Sequence, residues 1–193
     1  DYDPRVTPTR VTGRFGDPEV EQYTVFANAA VALTDTWQLY GWAGYQHRES
    51  SSAAFPRLAT TAAANGVGTL YPNGFLPLIN TRSKDINSAL GLRGDLGEWK
   101  IDLNVSYGRN QIDFRTLNSA NYSYGTASPR NFYDGRLTYQ QFVAGADVSR
   151  KFDVFQSLNV AFGVEGRREW FSLGAGERAS YNYFDPNNPS GTP

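Results

Sequence analysis

The chain has 193 residues, with 18 Lys plus Arg against 19 Asp plus Glu, a formal net charge of −1. That balance, with no charged tail, carries no electrostatic footprint for nucleic acid. A single histidine and no cysteine exclude zinc fingers, thiol nucleophiles, disulfide scaffolds and haem attachment together.

Residues 1–14 have neither a basic start nor an apolar run, so they do not read as a signal peptide. The longest apolar stretch, Val25–Leu33, is interrupted by Asn28 and falls far short of the roughly 20 residues a spanning helix needs. A spanning strand needs only about 9–11. With no methionine and Asp1 at its start, the sequence reads as a piece of a longer chain.

A period of two predicts six strands. In residues 21–33, Tyr23, Val25, Ala27, Ala29, Val31 and Leu33 form one face, with Phe26, Ala30 and Ala32 intruding on the other. In 37–48, Trp37, Leu39, Ala43 and Tyr45 face one way, while Tyr40 and Trp42 blur the opposite face. In 85–95, Ile86, Leu90 and Leu92 oppose Asn87, Ala89, Gly91 and Arg93. The cleanest segment is 99–113: Trp99, Ile101, Leu103, Val105 and Tyr107 alternate with Lys100, Asp102, Asn104, Ser106 and Gly108. In 138–151, Phe142, Ala144, Ala146 and Val148 oppose Gln141, Val143, Gly145 and Asp147. In 158–171, Leu158, Val160, Phe162 and Val164 oppose Asn159, Ala161, Gly163, Glu165 and Arg167.

Connections alternate between short (34–36, 96–98, 153–157) and long (49–84, 115–136, 172–193), and the long ones hold the Ser, Pro, Asn and Gly clusters of loops. On the greasy faces, Trp37, Trp99 and Phe152 lie beside the short turns. Tyr23, Tyr45, Tyr107, Phe142 and Trp170 lie at the other end, with small and aliphatic residues between. Rings at both borders of an apolar band form the girdle of a lipid-facing wall. A soluble sandwich would instead place its largest rings in mid-strand, inside the core. The fold class expected is therefore all-β: an antiparallel up-and-down meander of about six strands, a segment of a large transmembrane β-barrel wall. Lipid offers no partner to an open strand edge, so the outer strands are expected to pair with strands beyond this stretch.

Several segments then resemble the barrel of TonB-dependent outer-membrane receptors: Tyr71-Pro-Asn-Gly-Phe-Leu-Pro-Leu-Ile79, Leu90-Gly-Leu-Arg-Gly-Asp-Leu96, Val105-Ser-Tyr-Gly-Arg-Asn110, Asp147-Val-Ser-Arg150 and Leu158-Asn-Val-Ala-Phe-Gly-Val-Glu-Gly-Arg-Arg-Glu169. In that family a twenty-two-stranded barrel encloses an N-terminal plug, and TonB supplies the energy for uptake. The resemblance implies residence in the outer membrane of a Gram-negative bacterium and import of a scarce solute of the siderophore–iron, cobalamin or oligosaccharide type. It implies contact with outer-membrane lipid, and with the plug and TonB through parts of the protein absent from this sequence. Neither the plug nor a TonB-contacting segment is present, so no energy-coupling role maps onto any residue here.

For substrate capture, the candidates are the loop aromatics Tyr71, Phe75, Tyr122, Tyr124, Phe132, Tyr133, Tyr181 and Tyr183, whose flat rings stack on sugars or other rings. The alternative is that these rings pack the loops together. Lumen-facing polar residues are expected at Lys100, Asp102, Asn104, Glu165, Arg167 and Glu169, contacting plug or substrate or pairing across neighbouring strands. Membrane-interface rings are expected at Trp37, Trp99, Tyr45, Tyr107 and Trp170.

His47 has no partner at metal-ligand spacing, and no Gly-x-Ser-x-Gly elbow presents a nucleophile. Glu165 and Glu169 share a strand face, but a solvated wall makes neither a general acid. No cofactor, metal or catalytic residue is expected, and Asp185–Pro189 reads as a solvated turn rather than a Ca²⁺ site. Two other readings share part of this pattern: a passive porin-like barrel, and a soluble β-sandwich carbohydrate-binding module.

Overall fold

The computed structural model describes residues 13–184. Six strands, β1 (Glu19–Ala32), β2 (Trp37–Ala53), β3 (Leu78–Leu96), β4 (Trp99–Leu117), β5 (Phe132–Phe152) and β6 (Leu158–Ala175), form one antiparallel sheet in sequence order. Two short helices, α1 (Ala59–Ala64) and α2 (Arg178–Tyr181), and a 3₁₀ stretch over Tyr122–Ala127 lie in the long connections. The Asp185–Pro189 turn lies outside the described residues.

Each short connection has a local cause. Leu96 pairs with Trp99 across two residues, and Gly97, at φ 62°, supplies the positive φ that a type II′ hairpin needs at its first central position. Between β1 and β2 the Thr34 side-chain oxygen accepts from the backbone N–H groups of Thr36 and Trp37, at 3.3 and 3.0 Å. The turn from β5 to β6 places Phe155 and Gln156 at positive φ, 52° and 83°.

The strands run further towards the long loops than the alternation indicates. β2 continues past residue 48 to Ala53, β3 begins at Leu78 rather than 85, β4 continues to Leu117, β5 begins at Phe132 rather than 138, and β6 extends to Ala175. The true loops are therefore 54–77, 118–131 and the segment after 175. The reason is that the hydrogen-bonded ladder outlasts the apolar pattern: Lys84, Gln111 and Thr138 stand opposite one another where the greasy face has turned polar. Alternation reports the environment of a face, whereas strand length reports the ladder.

Register puts all six greasy faces on one side. Val31, Leu39, Leu92, Leu103, Ala146 and Val164 stand in one cross-strand row, and Ala27, Ala43, Ser88, Tyr107, Phe142 and Arg168 in another. The opposite face carries the row Ala32, Gln38, Arg93, Asp102, Asp147 and Gly163. This last row, together with Thr34–Thr36, lines a single hollow of about 830 Å³, so the sheet curls with its polar face concave.

Burial follows the curl and reverses the usual order. Leu90, Leu103 and Val105, on the convex face, are 54%, 45% and 40% exposed, while Asp102, Asn104 and Ser106 on the concave face are partly covered. β1 and β6 are exposed along their whole length, and neither has a partner on its outer edge among the described residues. The buried apolar cluster lies in the first long loop instead: Ala62, Val67, Tyr71 and Phe75.

Candidate functional site

Three regions position the expected functional residues. The first is the loop assembly at one end of the sheet. Loop 54–77 folds back on itself through a two-way backbone pairing of Arg57 and Phe75, at 2.7 and 2.8 Å. Gly74, at φ 72°, permits the close approach, because a Cβ there would run into the Arg57 carbonyl. The rings of Tyr71 and Phe75 meet at 4.2 Å over Ala62 and Val67.

Cross-loop bonds then stitch the three connections together. The Tyr71 hydroxyl donates to the Ser119 carbonyl at 2.8 Å, and Arg130 lies 5.1 Å over the Tyr71 ring while donating to the Leu70 carbonyl. Asn121 donates to the carbonyls of Ala179 and Asn182, at 2.9 Å each. Phe184 donates its backbone N–H to Ser123 Oγ and stacks on Tyr124 at 5.0 Å. Burial pushes the Tyr71 hydroxyl pKa above its ordinary value, and the Arg130 charge opposes part of the rise.

This geometry divides the eight loop aromatics. Tyr71, Phe75 and Phe132 are buried and pack the loops and strand ends, so they present no ring to solvent. Phe132 and Tyr133 do not lie in a loop at all; they open β5, and the Tyr133 hydroxyl donates to Asp113 at 2.9 Å. Tyr122 and Tyr124 are half-buried. Tyr181 and Tyr183 are open, at 61% and 73% exposure, and with Tyr122 they edge a hollow of about 540 Å³ whose floor includes Ser119, Asn121 and Asp134. An open ring beside amide and hydroxyl groups suits a ligand with a flat face and a polar rim.

The second region is the concave face, which holds all six expected polar residues, Lys100, Asp102, Asn104, Glu165, Arg167 and Glu169. Lys100 pairs across to Asp95 at 3.9 Å, while Asn104 donates to Asp102 at 3.1 Å. On β6, Glu169 accepts from Gln141 of the neighbouring β5 at 2.9 Å, while Arg167 bridges its own strand's Glu165 and Glu169, at 2.9 and 4.0 Å.

Sequence reasoning placed the rings of this face there only as intrusions and gave them no role. Tyr40 lies flat across Gly91 and reaches Asp102 two strands away, with Arg93 stacked 5.1 Å above it. Phe26 and Trp42 stack at 5.8 Å, with Gly44 beneath the Phe26 ring. The available signal was a large ring on a wet face with a glycine at the facing position of the next strand.

The third region is the convex face, where Trp37, Tyr45, Trp99, Tyr107 and Trp170 all lie. Trp37 and Trp99 flank the short turns; Trp37 covers Gly94, and Trp99 meets Phe152 and Phe162 edge-on at 6.3 and 6.0 Å. Tyr45 and Tyr107 mark the opposite border, and Trp170 sits one step towards the loops from Tyr107. Between the two ring rows the face is mostly Ala, Val, Leu and Ile, with Gly41, Gly166, Ser88 and Phe162 among them. His47 stacks on Tyr23 at 5.1 Å, and no group of metal-holding residues occurs among the described residues.

The fold and face chemistry define a class, a curled antiparallel meander with an exposed apolar outside and a polar inside. No family model matches the chain, and no curated protein matches its sequence.

Proposed function

We propose that this sheet is part of the wall of a transmembrane β-barrel in the outer membrane of a Gram-negative bacterium, and that the protein is a TonB-dependent receptor importing a scarce solute. The observation that carries the membrane half is the convex face: exposed aliphatics on six strands, bounded by rings at both ends, over a polar concave face. Lipid is the medium in which that face is satisfied, and the open edges of β1 and β6 then pair with further strands of the same wall. The TonB-dependent half is supported by the resemblance of five segments to that family.

In this reading Tyr181, Tyr183 and the hollow beside them meet the solute, and the concave charges line its path. Energy comes from TonB through a plug. The chain performs no covalent chemistry. The solute is of the siderophore–iron, cobalamin or oligosaccharide type.

The four tryptophans test the orientation. In vesicles containing brominated lipid, single-tryptophan versions of the full protein retaining Trp37, Trp99 or Trp170 are quenched, and one retaining Trp42, on the concave face, is not. Equal quenching of all four, or a protein that stays in water as a carbohydrate-binding sandwich would, defeats the membrane reading. Solute accumulation that persists in cells lacking TonB would instead select the passive porin.

A further inference from the structure

The hollow beside Tyr181 and Tyr183 is built by a clasp, and its lining selects among solutes. We propose that it takes a neutral oligosaccharide, and that Asn121 is the positioning residue that holds its two open rings in place; the inference rests on the reading of this hollow as the place where solute is met.

The strap 176–184 carries both rings and is pinned at three points. At its start, the Glu177 N–H donates to the Tyr133 carbonyl at 2.8 Å, and the Tyr133 N–H donates to the Glu177 carboxylate at 3.2 Å. In the middle, Asn121 Nδ2 directs both hydrogens at strap carbonyls, those of Ala179 and Asn182, which bracket Tyr181. Asn121 Oδ1 accepts from the Ser123 backbone N–H and hydroxyl, at 3.1 and 2.7 Å, so only one orientation of the amide satisfies all four bonds. At the end, Phe184 is held by Ser123 and Tyr124. Tyr122 packs against the loop core of Ala62, Val67, Tyr71 and Phe75, which gives the hollow a fixed wall.

Pinning the strap leaves the ligand-facing groups free. Among the described residues, no ring, cation or hydrogen-bond partner meets the side chains of Tyr181, Tyr183 or Asn182. Asp134 accepts from the Thr116 hydroxyl on one oxygen, at 2.6 Å, and keeps the other for a ligand hydroxyl. Thr116 lies on the same side of β4 as Asp102 and Asn104, so the hollow opens onto the upper end of the concave face.

Among the described residues no Lys or Arg lines the hollow, and its one carboxylate is Asp134. An anionic ferric catecholate or carboxylate complex would meet that carboxylate with no cation beside it, a costly juxtaposition of like charges. A pyranose instead lays its C–H face on a tyrosine ring and turns its hydroxyls to amide, phenol and carboxylate. The volume, about 540 Å³, holds a few pyranose units but not a whole cobalamin.

The test uses the full protein in detergent micelles and isothermal calorimetry. The probes are neutral hexasaccharides of glucose, mannose and xylose, a ferric tricatecholate, and cyanocobalamin. A hexasaccharide binds, and the other two classes do not. Tyr181→Ala and Tyr183→Ala each weaken binding roughly tenfold, and Asn121→Asp, which keeps the size but removes both N–H donors, does the same. Hydrogen exchange in Asn121→Asp quickens in 177–184 and not in 57–76; unchanged exchange in 177–184 overturns the clasp. In a chain lacking both rings, Asn121→Asp has no further effect on the residual affinity, whereas a further tenfold loss makes Asn121 a general structural residue. Phe155→Ala, which removes an open ring beside a short turn, changes nothing. Binding of the ferric complex that depends on Tyr181 and Tyr183 overturns the sugar assignment alone, and sugar binding indifferent to both rings overturns the site. Failure of every probe to bind defeats the solute-receptor reading beneath it.

Discussion

The Tyr40 hydroxyl donates to Asp102 Oδ1 at 2.7 Å, although the two residues lie on β2 and β4 with β3 between them. The bond exists because β3 offers Gly91 at the crossing, and the ring lies where any side chain would stand. Two polar atoms are thereby coupled across three strands of the concave face, and Arg93 covers the ring.

Gly91→Ala is expected to lift the Tyr40 ring and break the bond to Asp102. The cost is about 1–3 kcal/mol, the usual range for overpacking. Tyr40→Phe removes the hydroxyl alone, and Gly91→Ala combined with Tyr40→Phe should cost less than the sum of the two. Urea titration of the four proteins in vesicles measures this coupling; strict additivity would mean that the bond contributes nothing.

Leu103→Arg places a charge midway between the two ring rows of the convex face. In a bilayer it should destabilise by about 2–4 kcal/mol, whereas Asn104→Arg, one residue along and facing the other way, should stay near zero. Equilibrium unfolding of both variants in vesicles gives the comparison. A neutral Leu103→Arg would count decisively against a lipid-facing surface.

Phe75 is 3% exposed and closes the loop cluster against Tyr71. Phe75→Ala should cost the loop assembly about 3–5 kcal/mol of local stability. Because this core belongs to the loops and not to the sheet, hydrogen exchange should accelerate in residues 57–76 while β4 amides keep their protection. Uniform acceleration would show that loop and sheet unfold as one unit.

Tyr71 supplies a pH dependence. Burial raises its folded pKa above the ordinary value of about 10, so the neutral phenol is the form the fold favours. Its stabilisation is complete below the unfolded pKa and is lost as pH climbs through the higher folded pKa. Proteolysis of loop 54–77 should therefore speed up above about pH 10. Tyr71→Phe should be weaker at pH 8 by about 0.5–1.5 kcal/mol, having lost the bond to the Ser119 carbonyl. It should also lose the Tyr71 contribution to the alkaline decline.

Much of the sheet was legible because its convex face obeys one rule over many residues. Trp99, Ile101, Leu103, Val105 and Tyr107 could sit on no common face except that of a strand, and five neighbouring segments repeat the pattern. The strand ends near the loops were hidden, since Glu49–Arg82 and Asp113–Arg136 pair on the same face where the apolar signal has ceased.

The loop aromatics were legible as a set but not as individuals. Tyr71 and Tyr181 have the same chemistry, and only the fold of residues 54–77 around Val67 decides that one is buried and the other open. Tyr40 read as a blemish on a polar face because its partner, Asp102, is 62 positions away.

Every ladder of the sheet joins strands that are consecutive in the chain. The entropy of loop closure grows with the logarithm of loop length, so the three hairpins closed at 33–36, 97–98 and 153–157 are the cheapest contacts to form. Loops 54–77 and 118–131 then need only bring finished hairpins side by side. The order of assembly is thus written into the alternation of turn and loop: pairs of strands first, their neighbours second, and the edges of β1 and β6 left as the places where another hairpin can add.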